Sequence, residues 1–183
     1  MLKSNQILDE KDPRVRAKNV DVTFPLKKEE KQLLYDMLEN LHLSQIEKFA
    51  KKYNLRPGMG LAGPQVGVNK NFFVVCHEYE DGKFNNYIVI NPKIISTSEE
   101  LIYASGGEGC LSVNREVEGI VPRHARITIE GRDEENNYIK IRAREELAIA
   151  FQHELDHLNG ILFTDRIDKD DPYKNEDIMR VFE

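Results

Sequence analysis

The sequence predicts an α+β fold, with antiparallel β-sheets around a central metal-binding helix and a long helix near the N-terminus. Three observations carry that reading. Between Lys27 and about Tyr53, Leu33, Leu34, Met37, Leu38 and Leu41, then Ile46, Phe49 and Ala50, recur at three- and four-residue steps, as one face of a helix requires. Between residues 72 and 142, four stretches are β-branched or alternate apolar with polar, and turn residues divide them. From about Arg144 to Leu158 a second helical pattern is apolar nearly all round, which predicts burial.

A chain of 183 residues fills one core well and is short for two, so residues 1–183 are read as a single catalytic domain. Its 40% hydrophobic and 32% charged residues are ordinary for a globular chain. No apolar run approaches the roughly 20 residues that cross a bilayer, and the N-terminus lacks a signal peptide's apolar core. A cytoplasmic protein with no membrane partner is expected. Cys76 and Cys110 are too few for a disulfide framework. The net charge of −6 disfavours stable, sequence-blind nucleic-acid binding, while leaving room for brief docking on an RNA-rich particle through a local basic patch.

Taken in order, residues 1–25 read as irregular lead-in, with Pro13 and Pro25 interrupting any long helix. The helix after Lys27 carries no chemistry, and Leu43-Ser44 marks a candidate break. Arg56 to Gly67 holds four glycines and two prolines: turns, or a backbone that approaches something closely. It lacks the lysine and hydroxyl of a phosphate-binding loop. Phe72–Cys76 and Tyr87–Ile90 read as strands around a turn at Asp81-Gly82; Asn91-Pro92 ends the second, with Ile94-Ile95 continuing past a bulge. Cys76, inside a strand, reads as a buried, inert thiol. Ser105–Ser112 is a second glycine-rich passage, around Cys110. Ala125–Glu130 and Tyr138–Arg142 alternate like half-buried strands, joined by a hairpin loop at 131–137. The site helix stops at Asn159-Gly160, and the charged tail ends in an apolar stretch, Ile178–Phe182, read as a last strand or helix.

That helix carries His153-Glu154-Leu155-Asp156-His157. Histidines four apart project from one helix face and can grip one transition-metal ion, while a glutamate beside them can take and return a proton. The bland alternative is an amphipathic helix with two incidental histidines. A catalytic ion wants a third protein ligand. One zinc-protease pattern would place a histidine where Phe163 stands, so it fails there. Glu176 lies at a tempting distance but only seven residues from the end, just after Pro172. Cys110, in its flexible glycine setting, is the leading candidate; His124 is a substitute, though Arg123 and Arg126 beside it suggest an exposed, charged neighbourhood.

Gly58-Met59-Gly60-Leu61-Ala62-Gly63-Pro64-Gln65, Glu108-Gly109-Cys110-Leu111-Ser112 and Gln152-His153-Glu154-Leu155-Asp156-His157-Leu158-Asn159-Gly160 resemble, in order and spacing, the three signature motifs of the peptide deformylase family. The resemblance spans nearly the whole chain, and the N-terminal helix and the loop at 131–137 resemble the family's longer form, common in Gram-positive-type bacteria. The first motif departs at Gly63, where the family usually has alanine; the missing methyl is expected to widen or loosen the loop. The resemblance implies removal of the formyl group from the N-terminal formylmethionine of nascent polypeptides, releasing formate, with transient ribosome association. It implies Cys110, His153 and His157 as metal ligands, Glu154 as general base and acid, and Gln65 with the Leu111 N–H as oxyanion donors. Gly60 and Gly109 would let the substrate backbone lie close, and Met59, Ile149 and the aliphatic part of Glu108 would line the methionine pocket. Glu108 is also expected to pair with Arg123, with Gln152 and Asp156 in support. The implied metal is Fe2+, with Zn2+, Ni2+ or Co2+ able to substitute. The rivals are an internal peptidase using Glu176, a closed structural metal module, and a Cys110 nucleophile.

Overall fold

The computed structural model describes residues 1–183. Helix α1 spans Lys28–Ser44. It begins where the Glu30 carboxylate accepts the Lys27 amide at 2.8 Å, satisfying one of the donors a helix start leaves free, and Glu29 and Glu30 suit the positive end of its dipole. Ile46 is then extended, and α2 resumes over Glu47–Tyr53. The helical pattern from Lys27 to Tyr53 is therefore two helices, parted at the candidate break, just after Leu43-Ser44. Ser44 explains the stop. Its hydroxyl donates to the Leu41 carbonyl at 2.8 Å and accepts the Gly58 amide at 3.2 Å, which ties the helix end to the first glycine-rich loop.

The strands follow as β1 (Gly60–Ala62), β2 (Phe72–Glu80), β3 (Lys83–Thr97), β4 (Leu101–Ala104), β5 (Arg123–His124), β6 (Arg126–Arg132) and β7 (Tyr138–Arg144). Helix α3 is Glu145–Leu158 and β8 is Arg180–Phe182. Strands β1-β2-β3-β6-β7 form one antiparallel sheet, and β5-β4-β8 a smaller one. Within the latter β8 runs parallel to β4, so the apolar end of the tail is a strand. The expected bulge is present: register slips between Ile90 and Lys93. Asn91 takes φ 52 there, and its side chain holds both the amide and the carbonyl of Val22, at 2.8 and 2.9 Å.

Alternation along β2 sends successive side chains to opposite faces, and each face meets a different helix. Phe73, Val75, Val89, Ile127, Ile129 and Ala143 pack on Ala148, Phe151, Leu155 and Leu158 of α3. Phe72, Val74, Cys76 and Ile90 pack on Leu34, Met37, Leu38 and Leu41 of α1. Phe151 fixes the middle of α3, with its ring edge-on to Phe73 at 5.4 Å and to Tyr87 at 5.3 Å; truncating such a ring to alanine costs about 3–5 kcal/mol. Strand β7 passes into α3 without a loop, and Glu145 takes φ 53 at the junction, a region sparsely populated by residues with a Cβ. The Arg180 guanidinium holds its carboxylate at 2.8 and 3.1 Å, so β8 steadies the entrance to the site helix.

Candidate metal centre

His153 and His157 lie one turn apart on α3, their rings 5.0 Å apart. The loop after β4 brings Cys110 to them, with Sγ 3.3 Å from His157 Nε2. The sulfur and one nitrogen from each histidine all lie within 4.8 Å of one another, and all three residues are buried. His153 Nδ1 faces the Glu108 carboxylate at 2.8 Å, which fixes the ring and leaves Nε2 free to ligate. Burial, and then the neighbouring His153, hold His157 well below its ordinary pKa, in the neutral form that binds metal. Burial opposes protonation of His153 too, but Cys110 and Glu108 overcome it and raise its pKa. A sulfur and ring nitrogens gathered this closely form a donor set suited to a borderline divalent cation, so the residues fit the expected metal. The other candidate ligands lie elsewhere. Glu176 accepts the Tyr103 hydroxyl at 3.1 Å, and His124 Nδ1 faces the Ser98 carbonyl at 2.7 Å. Phe163, standing where the longer protease pattern has histidine, stacks on the His153 ring at 6.0 Å.

Behind the trio runs a chain of ion pairs, buried at Glu108, Arg123 and Asp156 and reaching the surface at Arg166. Arg123 donates to Glu108 at 2.7 and 2.9 Å and to Asp156 at 2.6 Å; Arg166 donates to Asp156 at 2.5 Å. Arg123 is thus 2% exposed, against the exposed neighbourhood expected of it: two carboxylates converge on it and replace water. Burial by itself would raise the Glu108 pKa, but Arg123 and then His153 outweigh it and hold it at about 2. Gln152 takes the His124 amide and donates to the His124 and Ala148 carbonyls, tying α3 to β5.

Glu154 is placed differently. It is 3% exposed, and its Oε2 has no hydrogen-bond partner. Burial pushes its carboxyl up to about 7. Gly60 makes room for it, because a Cβ there would stand 2.2 Å from Glu154 Oε1. The first glycine-rich loop therefore approaches the helix carboxylate closely. Gly109, by contrast, faces open space. In the same first loop Gln65 is buried; its Oε1 accepts the Ala62 amide at 2.8 Å, and its Nε2 reaches Ser112 Oγ at 3.2 Å and Cys110 Sγ at 3.6 Å. Gly63 overturns the expectation of a loosened loop. A Cβ on it would meet the Val68 and Lys70 carbonyls at 2.6 and 2.8 Å, so the backbone has closed into the space of the missing methyl.

A cleft of about 340 Å³ opens onto this centre, lined by Met59, Gly60, Glu108, Gly109, Leu111 and Ile149 together with Cys110, His153 and Glu154. Arg56, Ala104, Glu146 and Phe182 also line it, and sequence reasoning did not find them. Phe182 packs beside Ile149, delivered by the strand at the far end of the chain. Arg56 donates to the carbonyls of Cys110 at 3.0 Å, Leu111 at 3.3 Å and Val113 at 3.1 Å, and also to Asn114. It thereby gathers the cysteine loop around one cation. An arginine ahead of Pro57-Gly58 carries no local signal of that role.

A family model described as polypeptide deformylase matches residues 4–173. The peptide deformylase of Oceanobacillus iheyensis is 49% identical over 173 residues, covering 94% of each chain. Peptide deformylase 2 of Bacillus cereus is 43% identical over the full length of both. Among solved structures, peptide deformylase 1B of Arabidopsis thaliana in complex with an inhibitor superposes with a TM-score of 0.75 at 31% identity, covering 90% of this chain and 82% of that one. The Thermotoga maritima peptide deformylase superposes with a TM-score of 0.70 at 33% identity, covering 88% and 96%.

Proposed function

Because the chain belongs to the peptide deformylase family, we propose that Cys110, His153 and His157 hold its metal and that Glu154 carries the proton. The enzyme is a hydrolase that removes the N-formyl group from the N-terminal formylmethionine of new polypeptides. The observation that carries the residue assignment is the meeting of one sulfur and two ring nitrogens within 4.8 Å at the wall of a cleft. When bound, a divalent cation supplies the charge that acidifies water and steadies an oxyanion. The family resemblance favours Fe2+, and the donor set also suits Zn2+, Ni2+ or Co2+.

Glu154 takes a proton from the attacking water and returns it to the departing amine. A carboxyl raised to about 7 exchanges that proton readily near neutral pH. As the formyl carbonyl becomes tetrahedral, its oxygen gains charge. The Leu111 N–H has no partner within the chain and is free to donate to that oxygen, whereas Gln65 Nε2, beside the Cys110 sulfur, would donate to it by turning from Cys110 Sγ and Ser112 Oγ. One such donor is worth roughly 2.7–4 kcal/mol. The methionine side chain lies against Met59, Ile149 and the stem of Glu108, an apolar lining suited to a flexible thioether. The substrate backbone passes Gly109, where no side chain intrudes. No helix of the chain is long and apolar enough to cross a membrane. With new polypeptides as substrate, the compartment is the cytoplasm, and a transient encounter with the ribosome supplies them.

The test is Cys110→Ala, assayed by metal analysis after anaerobic purification and by formate release from a formyl-Met peptide. The variant is expected to lose both metal and turnover while keeping its circular dichroism spectrum. A variant that retains stoichiometric metal overturns the ligand assignment.

A further inference from the structure

The outer face of the main sheet is covered by two different means. Over β1, β2 and β3 it is packed under α1. Over β6 and β7 the same face is exposed, and cations take the place of apolar residues. Strand pairing fixes which side chains share it: Arg126 stands opposite Arg144, Thr128 opposite Arg142, Glu130 opposite Lys140 and Arg132 opposite Tyr138. The intervening pairs, Ile127 with Ala143 and Ile129 with Ile141, point to the core side. Lys93 of β3 pairs with Glu130 and joins the outer set. Lys93, Arg126, Arg132, Lys140, Arg142 and Arg144 are all exposed, with Glu130 the one carboxylate at the paired outward positions, on a chain of net charge −6.

Lys93, Lys140, Arg142 and Arg144 take part in no side-chain hydrogen bond or ion pair, while Arg126 pairs with Glu100 at 2.7 Å. The neighbouring acids are engaged elsewhere. Glu135 pairs with Lys31 and Glu134 accepts the Tyr35 hydroxyl, both on α1, and Glu145 is held by Arg180. Like charges directly opposed on a sheet are destabilising, and Arg126 against Arg144 is such a pair. Beside it lies a shallow depression of about 220 Å³ in which Arg126, Arg142 and Arg144 meet Ser96, Ser98 and Thr128. Guanidinium groups beside hydroxyls match the oxygens of a phosphate.

We propose that this face binds the phosphate backbone of RNA, with the depression between β3, β6 and β7 as its centre. The choice of RNA among polyanions rests on the function read above, since new polypeptides are made on an RNA-rich particle. A membrane docker would present apolar side chains for insertion, whereas the outward positions of β6 and β7 offer only Tyr138, whose ring lies 6.0 Å from the Arg132 guanidinium carbon. The face lies across the sheet from α3, so RNA bound there leaves the cleft free. Contacts of this number give weak, salt-sensitive binding, consistent with a brief encounter.

The test uses the metal-loaded full chain, a fluorescein-labelled 20-base-pair RNA duplex and, separately, vesicles of anionic phospholipid. The parent is expected to bind the duplex at 50 mM salt, with affinity falling steeply as salt rises. Lys140→Glu/Arg142→Glu should bind about tenfold or more weakly, with a shallower salt slope, and should deformylate a free formyl-Met peptide as the parent does. Equal duplex binding by parent and variant overturns the proposal, as does undetectable binding by the parent or tighter binding to the vesicles than to RNA. A parent that binds RNA in this way but does not deformylate the peptide refutes the function above and leaves the RNA face standing.

Discussion

Glu108 on the cysteine loop touches the His153 ring, Glu154 follows His153 on the site helix, and both side chains are nearly lost to solvent. Glu108 accepts from Arg123 and His153 and stays ionised down to about 2. Glu154 has an oxygen with no partner and stays protonated up to about 7. Burial is common to both; what differs is the company. A buried carboxylate that is paired on all sides becomes a rigid support for the ligand ring it touches. One left unpaired becomes a group whose proton is poised to move near neutral pH. Under the proposed assignment, the loop side of the site supplies order and the helix side supplies reactivity.

Glu154→Gln breaks that comparison on its reactive side and has the largest expected effect. The amide keeps the shape and cannot carry the proton, so kcat should fall by about 10²–10⁴-fold, with metal content and the far-ultraviolet spectrum unchanged. Turnover within threefold of the parent would remove Glu154 from the chemistry. Arg123→Leu breaks the supporting side. It leaves Glu108 and Asp156 buried with their shared cation gone, a change that typically costs about 3–5 kcal/mol. Urea unfolding should shift accordingly, and metal affinity should fall by about 10–100-fold as His153 loses a fixed partner. An unchanged midpoint would mean that water replaces the guanidinium at no cost.

The two carboxylates also predict opposite pH dependences of stability in the metal-free protein. Glu108 is depressed from 4.5 to about 2, so the stability it contributes is full above 4.5 and is lost as pH falls towards 2. Glu154 is raised from 4.5 to about 7, so the folded chain holds a proton that the unfolded chain has shed, and stability is lost as pH rises from 4.5 through 7. Urea unfolding between pH 3 and 8 reads both limbs. Glu108→Gln should flatten the acid limb only. Glu154→Gln should flatten the neutral limb only, making the metal-free variant more stable than the parent at pH 8 by on the order of 1–3 kcal/mol. Parallel curves for the parent and both variants would contradict the two assignments together.

Much of this site is legible in the sequence because the ligation proposed for His153 and His157 restricts residue type and helical spacing at once, and the two lie one turn apart on α3 beside Cys110. Strand alternation likewise fixes β6 and β7, since one buried face admits one register, while β2 is read from an unbroken apolar run because both its faces are covered. What is not legible depends on partners distant in sequence. Arg123, close to His124 and Arg126, reads as part of an exposed, charged neighbourhood, yet Asp156, brought by α3, joins its expected partner Glu108 and turns it inward. The break at Leu43-Ser44 is marked in the sequence, but its cause, the Ser44 hydroxyl meeting Gly58 across the loop, is not. Phe182 lines the cleft only because β8 adds in parallel to β4, a pairing that no local pattern announces.

The smallest predicted effect separates two glycines of one loop by the same contrast between reactive and supporting sides. Gly60 is small because Glu154 needs the space, whereas Gly63 is small because two backbone carbonyls occupy it. A methyl at Gly63 would lie 2.6 Å from the Val68 carbonyl oxygen, and backbone yields less readily than a flexible side chain. Gly63→Ala should therefore lower stability by about 1–3 kcal/mol, as overpacking does, offset in part by the reduced freedom of the unfolded chain. Gln65 lies two residues on and is held independently by Ala62 and Ser112, so kcat should stay within a few-fold of the parent. If stability rises instead, the 67–70 turn relaxes around the methyl, and the closed loop seen here is one of two packings the backbone accepts. Thermal unfolding together with kcat and KM on a formyl-Met peptide distinguishes these outcomes.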